Sequence, residues 1–403
     1  MTHSRRRMLA LILICNVTAI VGCAAWVGVL AHAATYHVRQ GGGGDCKVPQ
    51  DCIGRLQPGD LLLIHAGTYP GFDMGNLSGV QGALITIKAA PGEHAVLDGY
   101  VGMPGCCGVI EGFHPAYVVI GDSDGQLEIT HSDPWIDQIR RLDVDKQGDV
   151  RTFKAQYHDD PRINIGGVHL TGGSRGHHLT FQHLTIHHVL GMGFTCGKND
   201  SNYLNNTIYD IGYPRSGYGF YCAGDRQVFR GNVIHDGTYG FHLYDGAGYG
   251  LNDSVVEHNI VYNIALKPWY HMSSGRIKRS GAAIHILPGN NNIVHYNTIY
   301  NNSIGLSVYG SANVRNNLLY QNQTDRDPDS TIGSPNFMGN PRFISAQNDF
   351  HLQSGSPGKT AANDGGEVGA YGNGYTCVGA NCRGGTAPTP TPAPTPTSAP
   401  ETR

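Results

Sequence analysis

Histidine and tyrosine recur at one position of a short repeated segment in the middle of the chain. Each segment opens with glycine and continues with an apolar, a variable and an apolar residue, as in Gly219-Phe-Tyr-Cys and Gly240-Phe-His-Leu. Alternate side chains of a β-strand point to opposite faces, so the apolar residues are predicted to face inward and the variable residue outward. The predicted outward row consists of His169, Thr195, Tyr221, His242, Ala283 and Ser307.

The imidazole and phenol groups of this row could transfer protons in a reaction. His242 is the predicted general base, and Tyr221 is the predicted proton donor. Tyr244 and His285, two positions further along their strands, are predicted to bind a ligand together with His169. The alternative for each is a solvated surface side chain with no chemical role.

Cations and aromatic residues are concentrated in residues 266–280, in a chain with only 15% charged residues. Cations of this kind bind carboxylates, and aromatic faces pack on the apolar surface of a ligand. Lys267, Arg276 and Lys278 are predicted to be catalytic, with Lys267 as an alternative base. The predicted ligand-binding residues of this segment and of the neighbouring loop are Arg215, Trp269, Tyr270, His271 and Arg279. A solvated insertion with incidental charge is the alternative.

Three aspartates, Asp200, Asp225 and Asp245, follow successive segments. Carboxylate oxygens brought together in this way could hold Ca²⁺, so a calcium site is predicted, with unrelated surface turns as the alternative. Ca²⁺ is the only cofactor predicted.

The elements that position these residues are indicated by the repeat itself. The opening glycines follow one another at intervals of 21 to 26 residues, except for one interval of 41 that contains residues 266–280. An asparagine before a second short strand recurs in phase with them, at Asn206, Asn232, Asn259, Asn297 and Asn317. This period indicates a β-solenoid, in which stacked coils form parallel sheets and each asparagine bonds to the equivalent residue of the next coil.

Motifs at both ends of this region resemble those of the secreted, pectate-lyase-like parallel β-helix proteins, over about residues 34–372. The segment from Leu56 to Tyr69 is similar to their first coil, Ile85 to Gly99 to their second, and Asn340 to Pro357 to their closing strands. The resemblance implies an all-β fold, a right-handed parallel β-helix. An N-terminal cap is predicted at residues 46–56, because the first coil would otherwise expose a bare sheet edge. It also implies that the strands opening at glycine floor a substrate cleft, with the preceding loops as its wall.

The resemblance, together with the predicted base, acid and cations, implies a polysaccharide lyase that cleaves an acidic, uronate-containing polysaccharide by β-elimination. A glycoside hydrolase is the first alternative, because Asp225 and Asp245 could be its two carboxylates and Arg276-Ile-Lys278 matches a short polygalacturonase motif. A non-catalytic carbohydrate-binding or surface protein is the second alternative.

Export is predicted from the N-terminus, where Arg5, Arg6 and Arg7 precede a long apolar run. The predicted segments are a signal peptide at 1–33, the β-helix domain at 34–383 with an inserted loop at 133–162, and a Pro/Thr-rich tail at 384–403. A lipid anchor at Cys23 is the alternative to free secretion.

Eight cysteines remain after that signal, an even number that suits disulfides in an oxidising compartment, and Cys46/Cys52 and Cys377/Cys382 are close enough in sequence to pair. The net charge of −3 argues against nucleic-acid binding. The mature chain is expected to be a monomer with no transmembrane span.

Overall fold

The computed structural model describes residues 33–382. The predicted signal peptide, apart from Ala33, and the predicted tail lie outside these residues, as does the cysteine of the alternative lipid anchor.

Three long parallel sheets contain most of the strands. Sheet A is formed by Thr35–Val38, Leu61–Ile64, Ile85–Ala89, Ala116–Ile120, His177–Gln182, Asn202–Leu204, Val228–Arg230, Val255–Glu257, Asn292–His295 and Ala312–Arg315. Sheet B is formed by Gly67–Tyr69, His94–Asp98, Gln126–Thr130, Leu184–Val189, Thr207–Ile211, Val233–His235, Ile260–Tyr262, Thr298–Tyr300 and Leu318–Tyr320. Sheet C is formed by Phe72–Asp73, Gly108–Gly112, Gly166–Leu170, Phe194–Cys196, Tyr218–Cys222, Tyr239–Leu243, Ala282–Ile286, Ile304–Val308 and Thr324–Arg326.

Each coil contributes one strand to sheet A, then one to sheet B and one to sheet C, so the fold is a parallel β-helix, as predicted. The turn from sheet A to sheet B contains the recurring asparagines. Asn206 donates from Nδ2 to Asn232 Oδ1 at 3.0 Å, and Asn232 donates to Asn259 Oδ1 at the same distance. The predicted asparagine ladder is therefore confirmed, and its buried amides stabilise the turns instead of forming a site.

Stacked aromatic rings fill the interior between the sheets. Phe194, Phe220 and Phe241 lie on three successive coils with ring centroids 4.9 and 5.0 Å apart, and all three are fully buried. A single coil cannot bury these large side chains alone, because its apolar face is covered only when the next coil stacks on it.

The charged insertion is helical, whereas the sequence predicted a loop or lid. Helices Pro134–Arg140 and Gln147–Gln156 and a 3₁₀ helix, Pro161–Asn164, precede the strand Gly166–Leu170 of sheet C. Apolar residues of the insertion form a small separate core with Tyr270. The residues of this separate core include Ile136, Ile139, Val144, Phe153 and Ile163.

Residues 266–280 form an antiparallel hairpin with strands Trp269–His271 and Arg276–Lys278. A second antiparallel pair, Phe343–Ser345 and Asp349–Leu352, follows the last coil. The hairpin at 269–278 joins the helical insertion through Tyr270, so together they form one wall beside sheet C.

Four disulfides join all eight cysteines of the described residues: Cys46–Cys52, Cys106–Cys107, Cys196–Cys222 and Cys377–Cys382. The two pairs predicted from their short separation in sequence, Cys46–Cys52 and Cys377–Cys382, are confirmed. A short helix, Pro49–Ile53, lies within the first of these loops and packs into the core beside the first strand. Its role as a cap stays a prediction. Within residues 33–382, no helix has the length and apolar character needed to cross a bilayer.

Candidate active site on the outer face of sheet C

One row of side chains faces outward along sheet C. Strand pairing places its members in register: Asp73, Glu111, His169, Thr195, Tyr221, His242, His285 and Ser307. Five of the six predicted positions are confirmed. The sixth is wrong, because Ala283 pairs in phase with glycine of the previous coil and is fully buried, and His285 occupies the outward position.

The middle of this row is a stack of three rings. Tyr221 and His242 have centroids 5.2 Å apart, and His242 and His285 have centroids 4.9 Å apart, with interplanar angles of 19° and 11°. Rings stacked face to face along the coils direct their edges away from the sheet. The floor therefore presents phenol oxygens and imidazole nitrogens to a ligand, and not aromatic faces.

His242 has a nitrogen with no partner in the protein. Its Nδ1 is buried and forms no hydrogen bond. Burial and the neighbouring His285 lower the pKa of His242 to about 4, so the imidazole is neutral at pH 7. A neutral imidazole carries one ring nitrogen with a free lone pair that is able to accept a proton, and Nδ1 itself is shielded from solvent.

Tyrosines surround this imidazole on three sides. Tyr218, Tyr239 and Tyr244 have ring centroids 5.2, 5.9 and 5.5 Å from that of His242. Burial raises the pKa of Tyr244, with a further contribution from Tyr221, so its phenol stays protonated at neutral pH. The sequence prediction included Tyr244 but missed the other two, which precede the apolar part of their strands at Tyr218-Gly-Phe and Tyr239-Gly-Phe.

The hairpin brings cations to the same end of the floor. Trp269 packs against Tyr239 with centroids 5.9 Å apart, and Lys278 is the residue that pairs with Trp269 across the hairpin. Arg276 pairs with His271 in the next position. Lys278 and Arg276 are exposed and have no salt bridge within residues 33–382.

Several residues that were predicted to bind a ligand pack inside the wall. Trp269 and Tyr270 are 1% and 3% exposed, and Tyr270 lies 5.3 Å from Phe153 of the insertion. Arg215 is also buried, and its Nη1 donates to Asn164 Oδ1 at 2.9 Å and to the carbonyl of Ile163 at 2.5 Å. Trp269 packs in the main core against Tyr239, while the helical insertion covers Tyr270 and Arg215. Burial of these three side chains gives no support to the predicted ligand contact.

Two predicted cations have other surroundings. Arg279 is exposed and forms an ion pair with Asp145 of the insertion. Lys267 lines a cavity of about 280 Å³ with Arg140, Asp210 and Asp236, at the turn between sheets B and C. The structure does not bring Lys267 into contact with the floor, while His169 does lie on it, at the row position next to Glu111.

The three predicted calcium ligands do not form one site. Asp200 is paired with Arg226, Asp225 accepts from the backbone and side chain of Asn252, and Asp245 accepts from the backbone of Gly250. Among the residues described, the one group of three metal-ligating side chains with ligand atoms within 4.8 Å is Cys106, Cys107 and Glu111. The aspartate set does not fit a shared Ca²⁺, and calcium binding stays an untested prediction.

Comparisons with known proteins agree with this architecture. Residues 166–327 match the family model described as right handed beta helix region. The structure is similar to that of the pectate lyase Pel9A, with a TM-score of 0.56, 17% sequence identity and coverage of 88% of this chain and 97% of that one. The chain thus has a parallel β-helix fold similar to that of the pectate lyase Pel9A, and its residues 166–327 match a right-handed β-helix model.

Two further solved structures are similar to a smaller degree. An alginate lyase from Paenibacillus sp. str. FPU-7 is 15% identical, with a TM-score of 0.34 and coverage of 76% of this chain and 98% of that one. A lacto-N-biosidase from Eubacterium ramulus is 12% identical, with a TM-score of 0.44 and coverage of 76% and 68%. No curated protein matches the chain in sequence. The likeness to Pel9A, at 17% identity, defines the fold alone.

Proposed function

We propose that this protein is a polysaccharide lyase that cleaves a uronate-containing polysaccharide by β-elimination over the floor of sheet C. The observation that carries the proposal is the surroundings of His242. This neutral imidazole forms no ion pair within residues 33–382 and stacks on Tyr221 in the middle of the outward row. It shares its strand with Tyr239, against which Trp269 of the hairpin with the exposed cations packs.

The chemistry of β-elimination assigns a role to each of these groups. His242 removes the proton from the carbon next to the uronate carboxylate. The electron pair of that C–H bond forms a double bond to the adjacent carbon as its C–O bond breaks, and Tyr221 donates a proton to the leaving oxygen. A bound carboxylate beside His242 would raise the low pKa of the imidazole and so make it a stronger base.

Lys278 and Arg276 are proposed to bind the substrate carboxylate. Proton removal next to a carboxylate becomes easier when its charge is neutralised, because negative charge develops there in the transition state. The hairpin position of Lys278, opposite Trp269 and therefore beside Tyr239, supports this role. His271, Arg279 and His169 are proposed to contact more distant parts of the polysaccharide.

The site of action is proposed to be outside the cell, with a lipid anchor at Cys23 as the alternative and a monomer as the active form. Four disulfides support an oxidising compartment.

The proposal is tested by incubating the full-length mature protein with pectate, alginate and glycosaminoglycans. We expect ultraviolet absorbance from unsaturated uronate to rise with at least one polymer, and the rise to persist with a chelator if no Ca²⁺ takes part. New reducing ends without this absorbance would identify a hydrolase and refute the lyase. If neither signal appears but the polymers bind, the protein is a carbohydrate-binding protein.

A further inference from the structure

We infer that the cleft is bipolar, and that its substrate is a heteropolysaccharide in which uronate residues are interspersed with uncharged sugars. The inference rests on the proposed function in placing an acidic polysaccharide in the cleft. It adds that the end of the cleft at Glu111 accepts an uncharged sugar, because acidic and exposed aromatic side chains line that end.

The floor becomes acidic toward the first coils. Asp73 and Glu111 occupy consecutive positions of the outward row, directly before His169. Glu111 Oε1 accepts hydrogen bonds from the backbone of Cys107 at 2.8 Å and of Gly108 at 3.1 Å, which fix the carboxylate on the floor. Neither acid forms a salt bridge with a lysine or arginine of the described chain. A uronate above them would be repelled, since like charges are destabilising at short range.

Exposed aromatic side chains flank this acidic end. Phe113 follows the Glu111 strand directly and is 50% exposed, and Tyr249 is 41% exposed. Tyr100, in the wall loop on the opposite side, is 58% exposed. Large apolar rings exposed around one end of a cleft indicate a binding surface, and their free faces can pack on the C–H face of a sugar ring.

Phe113 and Tyr249 are held in place by the turns beneath them. The buried ammonium of Lys198 donates to the carbonyls of Phe113 at 2.7 Å and of Gly173 at 2.8 Å, which joins two turns of the same wall. Gly173 has φ +64°, and a Cβ there would lie 2.7 Å from the ring of Tyr249. Because Gly173 has no side chain, the ring of Tyr249 can pack across this turn. The exposed ring is therefore held at a defined place beside the turn.

The opposite end of the cleft carries the positive charge. Lys278 pairs with Trp269, which packs against Tyr239, and Tyr239 and His242 share a strand that is four strands away from Glu111 in sheet C. At about 4.8 Å per strand the two positions are roughly 19 Å apart, a distance that several linked sugars would span. A homopolymer of uronate would bind well at one end and be repelled at the other, whereas a mixed polymer suits both.

The test measures binding, so that it does not depend on turnover. The variant His242→Ala is titrated calorimetrically, at low ionic strength, with polygalacturonate and with two mixed polymers, hyaluronan and rhamnogalacturonan. Added to this background, Glu111→Gln is expected to bind polygalacturonate about fivefold more tightly, because one charge repulsion near the surface is removed. Asp159→Asn, which removes the same charge at a fully solvated position, is the control and is expected to change nothing.

The aromatic end is tested with the mixed polymers. Phe113→Ala or Tyr249→Ala is expected to weaken binding of at least one of them about tenfold, as loss of one aromatic contact predicts. Ile344→Ala, an exposed apolar residue of the second hairpin, is the matched control.

The inference is overturned if Glu111→Gln leaves polygalacturonate binding unchanged or weaker, or if neither aromatic variant affects a mixed polymer. Binding of no polymer at all overturns it as well. If the wild type forms no unsaturated product and these binding changes still occur, the lyase proposal fails while the bipolar cleft stands.

Discussion

Two outward faces of the β-helix carry histidines and charged residues in register, and they differ in how those groups are satisfied. On sheet A, Arg230, Glu257 and His295 follow one another on successive coils. Arg230 Nε donates to Glu257 Oε1, and His295 Nε2 lies 2.5 Å from the other carboxylate oxygen. On sheet C, His242 forms no ion pair within the described residues, although its Nδ1, like that of His295, has no hydrogen-bond partner.

The two faces also differ in what covers them. The C-terminal segment lies over sheet A, where Tyr375 stacks on His258 at 4.4 Å and the carbonyl of Ala370 lies 3.0 Å from His258 Nδ1. On sheet C, Tyr221, His242 and His285 remain half-buried on the outward face. The comparison teaches that a row of histidines is no indication of a site by itself. A site is indicated where the polar side chains stay partly accessible and are not held in ion pairs with one another.

The largest expected effect on stability comes from the covered face. Replacing Glu257 with alanine leaves Arg230 buried without its counter-charge, and breaking such a buried pair typically costs about 3–5 kcal/mol. We expect the melting temperature of Glu257→Ala to fall steeply, with kcat unchanged in the folded fraction, as measured by calorimetry and by the absorbance assay. A lower kcat at unchanged stability would contradict the assignment of this cluster to structure.

The second largest effect on stability is expected from acid, which should destabilise the packing of the C-terminal segment on sheet A. Burial lowers the pKa of His258 to about 4, against an ordinary value near 6.5. A histidine that stays neutral in the folded state takes up its proton more readily when unfolded. Its contribution is therefore complete above pH 6.5 and is lost as the pH falls toward 4, by up to about 3 kcal/mol.

This pH dependence is measured by calorimetry between pH 7 and 4 on the wild type and on His258→Gln. The variant is expected to lose less stability over this interval than the wild type. An equal loss in both proteins would show that His258 does not contribute.

A smaller effect is expected from the cations of the cleft wall. Lys278→Ala should raise KM several-fold with little change in stability, because an exposed charge contributes about 1 kcal/mol or less, and added salt should reduce the difference. Lys267→Ala is the comparison, since Lys267 lines the separate cavity at the turn between sheets B and C. Loss of turnover in Lys267→Ala, and not in His242→Ala, would make Lys267 the base.

The coil repeat could be predicted from the sequence because its determinants are local and periodic. Glycine before an apolar strand and asparagine in a turn each mark the same place in every coil, and both were in phase. Using glycine alone to set the strand phase failed at one coil, where Gly281 precedes the position equivalent to Gly240 by two residues. In that coil the inward-facing positions are indicated by the apolar residues Ile284 and Ile286, because large apolar side chains are the ones buried in the core.

The wall could not be predicted in the same way. Burial of Tyr270 and Arg215 depends on the helical insertion, which has no repeat and packs through contacts distant in sequence. Glu111 was missed because its strand, Gly108–Gly112, has Val109 at the position equivalent to the repeat glycine Gly167, with Gly108 one residue too early. Contacts between side chains from distant segments depend on tertiary packing, and the spacing of residues in the sequence does not predict them.

The most direct measurement compares one histidine from each face. His242→Ala and His258→Ala are purified in parallel, and the unsaturated-uronate rate and the melting temperature are measured for both on the polymer that the wild type cleaves. We predict that His242→Ala loses about 10²-fold or more in rate and keeps its melting temperature, while His258→Ala loses melting temperature and keeps its rate when folded. Retention of the rate by His242→Ala would contradict the account, because the open face of sheet C would then not contain the base.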